Sequence, residues 1–187
     1  ALRLCCGLTH RVLGKENLPE PPYVIYSKHQ SAWETIAFSC IFPPTSFVAK
    51  RELLMIPCFG WGFAVMSPIT IDRGSPRKAL RAVLDQGKRR LDQGFCVCVY
   101  PEGSRIEPGR TARFAASGVQ LAAEAGVPVV PVALDSGRFW INGSWRKQPG
   151  RITVSIGKQQ QPQRDRIRET VDALHEWIAA ETSAIGG

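Results

Sequence analysis

Within the run Ser27-Lys28-His29-Gln30-Ser31-Ala32-Trp33-Glu34-Thr35, His29 and Glu34 are the residues best suited to move a proton. A neutral imidazole can take a proton from an alcohol, and histidine, with an unperturbed pKa of about 6.5, is mostly free base near neutrality. A carboxylate that accepts the other ring N–H fixes the tautomer and stabilises the imidazolium that forms. At roughly 4 Å that attraction is worth about 4 kcal/mol for a semi-buried pair but only about 1 kcal/mol in open water. A shielded cleft therefore decides whether the pair is a catalyst. Five residues of helix turn through about 140°, so the two side chains cannot share a face inside one helix. They meet only if His29 precedes a helix and Glu34 lies in its first turn. The strand-like run 23–27 and the capping residue Ser31 would place them so. A structural reading uses the same residues: Ser31-Ala32-Trp33-Glu34 fits a capping box, with Glu34 reaching back to the N–H of Ser31.

Two arginines follow strand-like runs, the position at which α/β folds hold ligands. Arg73 comes after Ile69-Thr70-Ile71-Asp72, and Arg105 closes Tyr100-Pro101-Glu102-Gly103-Ser104-Arg105. A guanidinium donates two parallel hydrogen bonds to a phosphate and stays charged at any relevant pH. Gly103 would let a ligand approach the backbone, and Ser104 adds a hydroxyl. Glu102 could instead pair with either arginine. The stretch 76–91 carries six basic residues beside an apolar stripe, which suits a solvated helix face or attraction to anionic headgroups.

Short apolar runs at 23–27, 46–49, 69–71, 95–99, 128–134 and 151–156 alternate with helical patterns at 31–41, 76–92, 113–125 and 164–180. Such alternation predicts a single α/β domain with a largely parallel or mixed central sheet flanked by helices. The apolar run 55–66 reads as core, with a membrane-facing or acyl-lining surface as the alternative.

The 187 residues suffice for one domain with a real core. A net charge of +8 points to an anionic partner: phosphate, acidic lipid or nucleic acid. The six cysteines lack zinc-ligand spacing, so no metal is expected, and their disposition suits a reducing compartment. No run reaches the roughly 20 apolar residues that span a bilayer. The first residue is not Met, and an N-terminal membrane-anchoring segment upstream is the expectation.

Together these segments resemble the glycerolipid acyltransferase family. Four blocks stand in that family's order: His29…Glu34, Ile71-Asp72-Arg73-Gly74, Tyr100-Pro101-Glu102-Gly103-Ser104-Arg105, and Val127-Pro128-Val129-Val130-Pro131-Val132. The first block usually ends in Asp, so Glu34 is one methylene longer; Tyr100 and Ser104 stand where Phe and Thr are commoner. The resemblance implies transfer of a fatty acyl group from acyl-CoA or acyl-carrier protein to the sn-2 hydroxyl of 1-acyl-glycerol-3-phosphate, giving phosphatidic acid. His29 would be the general base and Glu34 its orienting carboxylate. Arg73, Glu102, Gly103, Ser104 and Arg105 would hold the acceptor's phosphate, and Pro131 would shape the acyl or acceptor pocket. No cofactor is implied beyond the thioester co-substrate. The implied partners are the lysophospholipid and a membrane surface, at the cytoplasmic face of the cell membrane, with no nucleic acid. A sister enzyme acting on glycerol-3-phosphate or a lyso-aminolipid is the nearest alternative. A serine hydrolase would want a Gly-x-Ser-x-Gly elbow, which is absent. A basic nucleic-acid-binding module finds no zinc-finger, zipper or RNA-binding signature.

Overall fold

The computed structural model describes residues 5–57, 59–72, 74–110, 112–145 and 147–186. Its strands are β1 (Leu8–Leu13), β2 (Val24–Ser27), β3 (Thr45–Lys50), β4 (Ile69–Ile71), β5 (Cys96–Val99), β6 (Val129–Leu134) and β7 (Gly150–Ile156). The helices are α1 (Trp33–Ile41), α2 (Phe59–Val65), α3 (Pro76–Asp92), α4 (Ser117–Ala125), α5 (Ser136–Phe139) and α6 (Ile167–Gly186). The strands form one sheet in the order β1-β7-β6-β2-β5-β3-β4. β2 to β6 run parallel, while β7 lies antiparallel to β6 and carries β1 parallel to itself. The expected α/β architecture is thus present, with a mixed sheet.

Strand side chains alternate between two cores, because successive residues point to opposite faces. Tyr23, Ile25, Cys96 and Cys98 join Trp33 and Phe38 of α1 on one face. Val24, Tyr26, Val97 and Val99 join Val119, Leu121 and Leu174 on the other, beneath α4 and α6. Covering both faces explains why the central strands read as unbroken apolar runs rather than polar/apolar alternation. The last helix buries Val171, Leu174 and Ile178 along one face, and His175 sits edge-on to Phe114 at 4.4 Å.

Three sequence expectations shift. β1 was not foreseen: Thr9, His10 and Arg11 make its pattern polar, and its recorded ladder is with β7. The helix expected from 113 starts at Ser117, because Ala115 donates its N–H to the Pro101 carbonyl (2.9 Å) and accepts from the Tyr26 hydroxyl (2.8 Å). The apolar run 55–66 is not a core segment: Phe63 is buried, whereas Met55, Ile56, Trp61 and Val65 are exposed. Among the described residues no helix is long and apolar enough to cross a bilayer.

This topology brings together the loops that leave the carboxyl ends of β2, β5 and β6. β5 lies on one side of β2 and β6 on the other, so the chain reverses its direction of travel across the sheet there. Open α/β sheets bind ligands in such a crevice.

Candidate functional site

β2 ends at Ser27, and the next residues are fixed by bonds from both neighbouring loops. Lys28 still donates its N–H to the Val132 carbonyl (3.1 Å). The His29 N–H donates to Glu102 Oε2 (2.8 Å), and the His29 carbonyl accepts from the Ile106 N–H (2.8 Å). Glu102 Oε1 accepts from Lys28 Nζ (2.8 Å), making a buried ion pair that joins the loops after β2 and β5. From the third loop, the Gly137 N–H donates to Gln30 Oε1 (3.0 Å). His29 is therefore held through its backbone before its ring makes any contact.

The ring is held as well. It stacks on Tyr100, with centroids 3.9 Å apart and planes 17° from parallel. Burial, with Cys98 and Glu34 close by, pushes the Tyr100 phenol well above its usual pKa, so His29 rests on a neutral aromatic plate. Nδ1 lies 2.5 Å from Glu34 Oε2. An ionised carboxylate only accepts, so the imidazole tautomer that fits this contact has its proton on Nδ1 and its lone pair on Nε2. The Glu34 side chain has no exposed surface, while the imidazole retains 13%. This meets the requirement for a shielded pair in which the base still reaches an open side.

Glu34 lies in the first turn of α1, as the spacing required. Its Oε1 accepts the Ser31 N–H at 2.7 Å, has the Ser31 hydroxyl at 3.0 Å, and takes a hydrogen bond from the Ser136 hydroxyl. The Gln30 N–H points between the two oxygens, at 3.2 and 3.3 Å. One carboxylate thus makes both sets of contacts, Oε1 with donors at the helix start and Oε2 with the imidazole; only the Glu34 half of the expected capping box forms, since the N-cap is Ala32 rather than Ser31 and has no side-chain cap.

The remaining sequence-predicted residues divide. Arg73 lies outside the described residues. Both oxygens of Glu102 are taken up by Lys28 and the His29 N–H, so it braces the His29 backbone rather than facing a ligand. Gly103, at φ 70°, closes a turn through its N–H to the Tyr100 carbonyl (3.0 Å), a conformation that favours glycine. Ser104 and Arg105 are exposed. Arg105 Nη1 donates to Asn142 Oδ1 (3.1 Å) and lines a cleft of about 340 Å³ with Ala32, Trp140, Asn142, Trp145 and Lys147. Ala32 lies between His29 and Glu34 in sequence, so this cleft adjoins the loop that carries His29.

Pro131 is not brought to this site. It sits inside β6 where the β7 ladder is interrupted between Val132–Ile156 and the Val129–Gln160 bridge, a place that tolerates a residue with no N–H. It lines a different cleft, of about 320 Å³, with Asn17, Gly157, Lys158 and Trp177.

Sequence reasoning missed Ser136, Lys28 and Lys147. Ser136 was accessible to the rule that ligand-side residues follow the carboxyl ends of strands, since Asp135-Ser136-Gly137 comes directly after β6.

A family model described as Acyltransferase matches residues 9–135. The chain is similar to a 1-acyl-sn-glycerol-3-phosphate acyltransferase of Pseudomonas aeruginosa, 47% identical over 155 residues, covering 83% of this chain and 60% of that protein. It is 30% identical over 154 residues to 1-acyl-sn-glycerol-3-phosphate acyltransferase alpha of mouse, covering 80% of this chain and 54% of the relative. The chain thus spans about half to three-fifths of the length of these relatives. A solved 1-acyl-sn-glycerophosphate acyltransferase of Thermotoga maritima superposes with a TM-score of 0.75 at 25% identity, covering 96% of this chain and 73% of that one.

Proposed function

The chain belongs to the acyltransferase family, and on that premise we propose that it transfers a fatty acyl group from a thioester to the sn-2 hydroxyl of 1-acyl-glycerol-3-phosphate. The observation that carries this reading is the imidazole of His29, held by Glu34 at 2.5 Å with Nε2 left free. The Nε2 lone pair removes the proton from the acceptor hydroxyl as its oxygen attacks the thioester carbonyl. The imidazolium that forms is stabilised by Glu34. When the tetrahedral intermediate collapses, the C–S bond breaks and the thiolate takes the proton back from Nε2. No acyl-enzyme forms, and the thioester itself supplies the activated acyl group, so no further cofactor enters.

Arg105, at the rim of the neighbouring cleft, holds the acceptor's phosphate, with Lys147 on the same lining and Ser104 and Gly103 beside it in sequence. Arg73 is assigned the same task from its sequence block. Holding the acceptor in place supplies part of the barrier reduction, since positioning alone can be worth several kcal/mol. The donor is acyl-CoA or acyl-carrier protein, and the enzyme works against the cytoplasmic face of the cell membrane. The test is release of free thiol from acyl-CoA by the purified chain, with and without lysophosphatidic acid. Thiol release that depends on the acceptor, with phosphatidic acid as product, supports the reading. Release that ignores the acceptor, or none with any lysolipid, overturns it.

A further inference from the structure

Eight large hydrophobic side chains stand exposed among the described residues, and four of them, Met55, Ile56, Trp61 and Val65, fall in the single stretch 55–65. Two more, Ile141 and Trp145, belong to the loop that lines the cleft beside His29. The stretch leaves the sheet at Lys50, the carboxyl end of β3. β4 then pairs Ile69 with Val48 and Ile71 with Lys50, so the chain rejoins level with the last residues of β3. The excursion therefore leaves from the carboxyl edge of the sheet, the edge that carries His29, and by Ser67, whose carbonyl accepts from the Ser46 hydroxyl (2.6 Å), it has come down beside β3 again.

Local packing makes this stretch a firm platform. Gly60 donates its N–H to the Ile56 carbonyl (2.7 Å), and a Cβ on Gly60 would lie 2.2 Å from the Leu54 carbonyl oxygen, so α2 folds tightly onto the turn before it. Phe63 anchors the helix in the same core cluster as Trp33 and Phe38. Trp61 and Val65, four residues apart and so on one face, are 72% and 84% exposed, and Met55 is 79% exposed. Exposed cations stand at the same edge of the sheet. Lys50 and Arg51 open the excursion, and Arg77, Lys78 and Arg81 begin α3, which follows the carboxyl end of β4 and packs its Val83 and Leu91 on the face opposite Phe63; the exposed acids over 50–81 are Glu52 and Asp72. A core residue would not protrude this way, and a solvated loop gains nothing from tryptophan, valine and methionine at its tips.

We infer that the platform formed by 50–65 and the start of α3 is the surface by which the protein docks on a bilayer containing anionic lipid, with the apolar side chains entering the headgroup boundary and the basic residues on the phosphates. Tryptophan beside basic residues suits that boundary. Docking on this edge turns the His29 cleft towards the layer from which a lysolipid would come. The choice of a lipid occupant rests on the proposed reaction; the location of the surface does not.

The experiment is co-sedimentation of the purified 187-residue chain with vesicles of phosphatidylcholine alone, or of equal parts phosphatidylcholine and phosphatidylglycerol, without substrates. The chain is expected to sediment with the mixed vesicles and much less with the neutral ones. A Trp61→Ser, Val65→Ser double variant should bind at least tenfold more weakly, and so should Arg77→Glu, Lys78→Glu. Leu13→Ser, an exposed apolar residue at the far edge, should bind as the parent does. Both double variants should keep the parent's melting temperature and its rate on a short-chain, water-soluble acceptor within twofold. Undiminished binding by the Trp61/Val65 variant overturns the inference. So does failure of the parent to bind vesicles, including the case in which these residues bind an acidic carrier protein instead. Because binding is read without turnover, a chain that is inactive but docks through Trp61 would refute only the reaction.

Discussion

Replacing Glu34 by Asp would restore the residue commoner in this family and withdraw the carboxylate by one C–C bond, roughly 1.5 Å. The donors around Oε1 cannot follow. The Ser31 N–H, at 2.7 Å, is fixed by the start of α1, and the Ser136 hydroxyl is fixed by the loop after β6. If the shortened carboxylate keeps those donors, its distance to His29 Nδ1 grows from 2.5 Å to roughly 4 Å. With an effective dielectric constant near 20, attraction to the developing imidazolium falls from about 7 to about 4 kcal/mol. A loss of about 2.5 kcal/mol in the transition state corresponds to a rate about 70-fold lower. The assay is kcat for thiol release from acyl-CoA at saturating lysophosphatidic acid, with Glu34→Gln alongside and melting temperatures as a fold control. Glu34→Asp should fall between the parent and Glu34→Gln, with little change in the acceptor KM. A Glu34→Asp enzyme within twofold of the parent would show that the longer side chain is not matched to its donors, and the reasoning from Oε1 would fail.

Further outcomes follow from other contacts. Ser136→Ala removes one donor from Glu34 while leaving Ser31 in place, and should lower kcat about tenfold without moving KM; an unchanged kcat would show that Ser31 alone holds the carboxylate. Lys28→Met leaves Glu102 buried with its charge unpaired. The side chains are 7% and 0% exposed, and stability should fall by about 3–5 kcal/mol in urea unfolding; a loss under about 1 kcal/mol would contradict a buried ion pair. Burial pushes the Cys96 thiol up to about 11 and raises Cys98 further, chiefly by desolvation. In the folded protein at neutral pH, alkylation followed by mass spectrometry should mark the exposed Cys5 and Cys40 and spare Cys96 and Cys98 until denaturant is added.

The parts of the molecule legible in its sequence are those set by local spacing. The five-residue interval from His29 to Glu34 required a strand end, a short loop and a helix start, and the structure has them in that order. The apolar runs 23–27, 95–99 and 128–134 became the buried centre of the sheet because helices cover both faces. What escaped depends on residues far apart in the chain. Ser136 meets Glu34 across 102 positions and Lys28 meets Glu102 across 74, so although Ser136 follows a strand end, no local pattern pairs either residue with its partner. The same long-range bonds gave Glu102 a role different from the one its block suggested. Hydrophobicity also misled where it had no partner: the run 55–66 contains one helix that buries Phe63 and turns Trp61 and Val65 outward. Arg105 lines the cleft beside the His29 loop, whereas Pro131 is a strand residue tolerated at a break in the β7 ladder.

The most direct measurement of the central proposal is the turnover of His29→Ala and His29→Gln with acyl-CoA and lysophosphatidic acid, at a melting temperature matched to the parent. General-base catalysis by one side chain contributes about 10²–10⁴-fold. Both variants should therefore lose at least about a hundredfold in kcat. If either folds like the parent and keeps turnover within tenfold of it, the ring nitrogen of His29 is not the base that activates the acceptor hydroxyl.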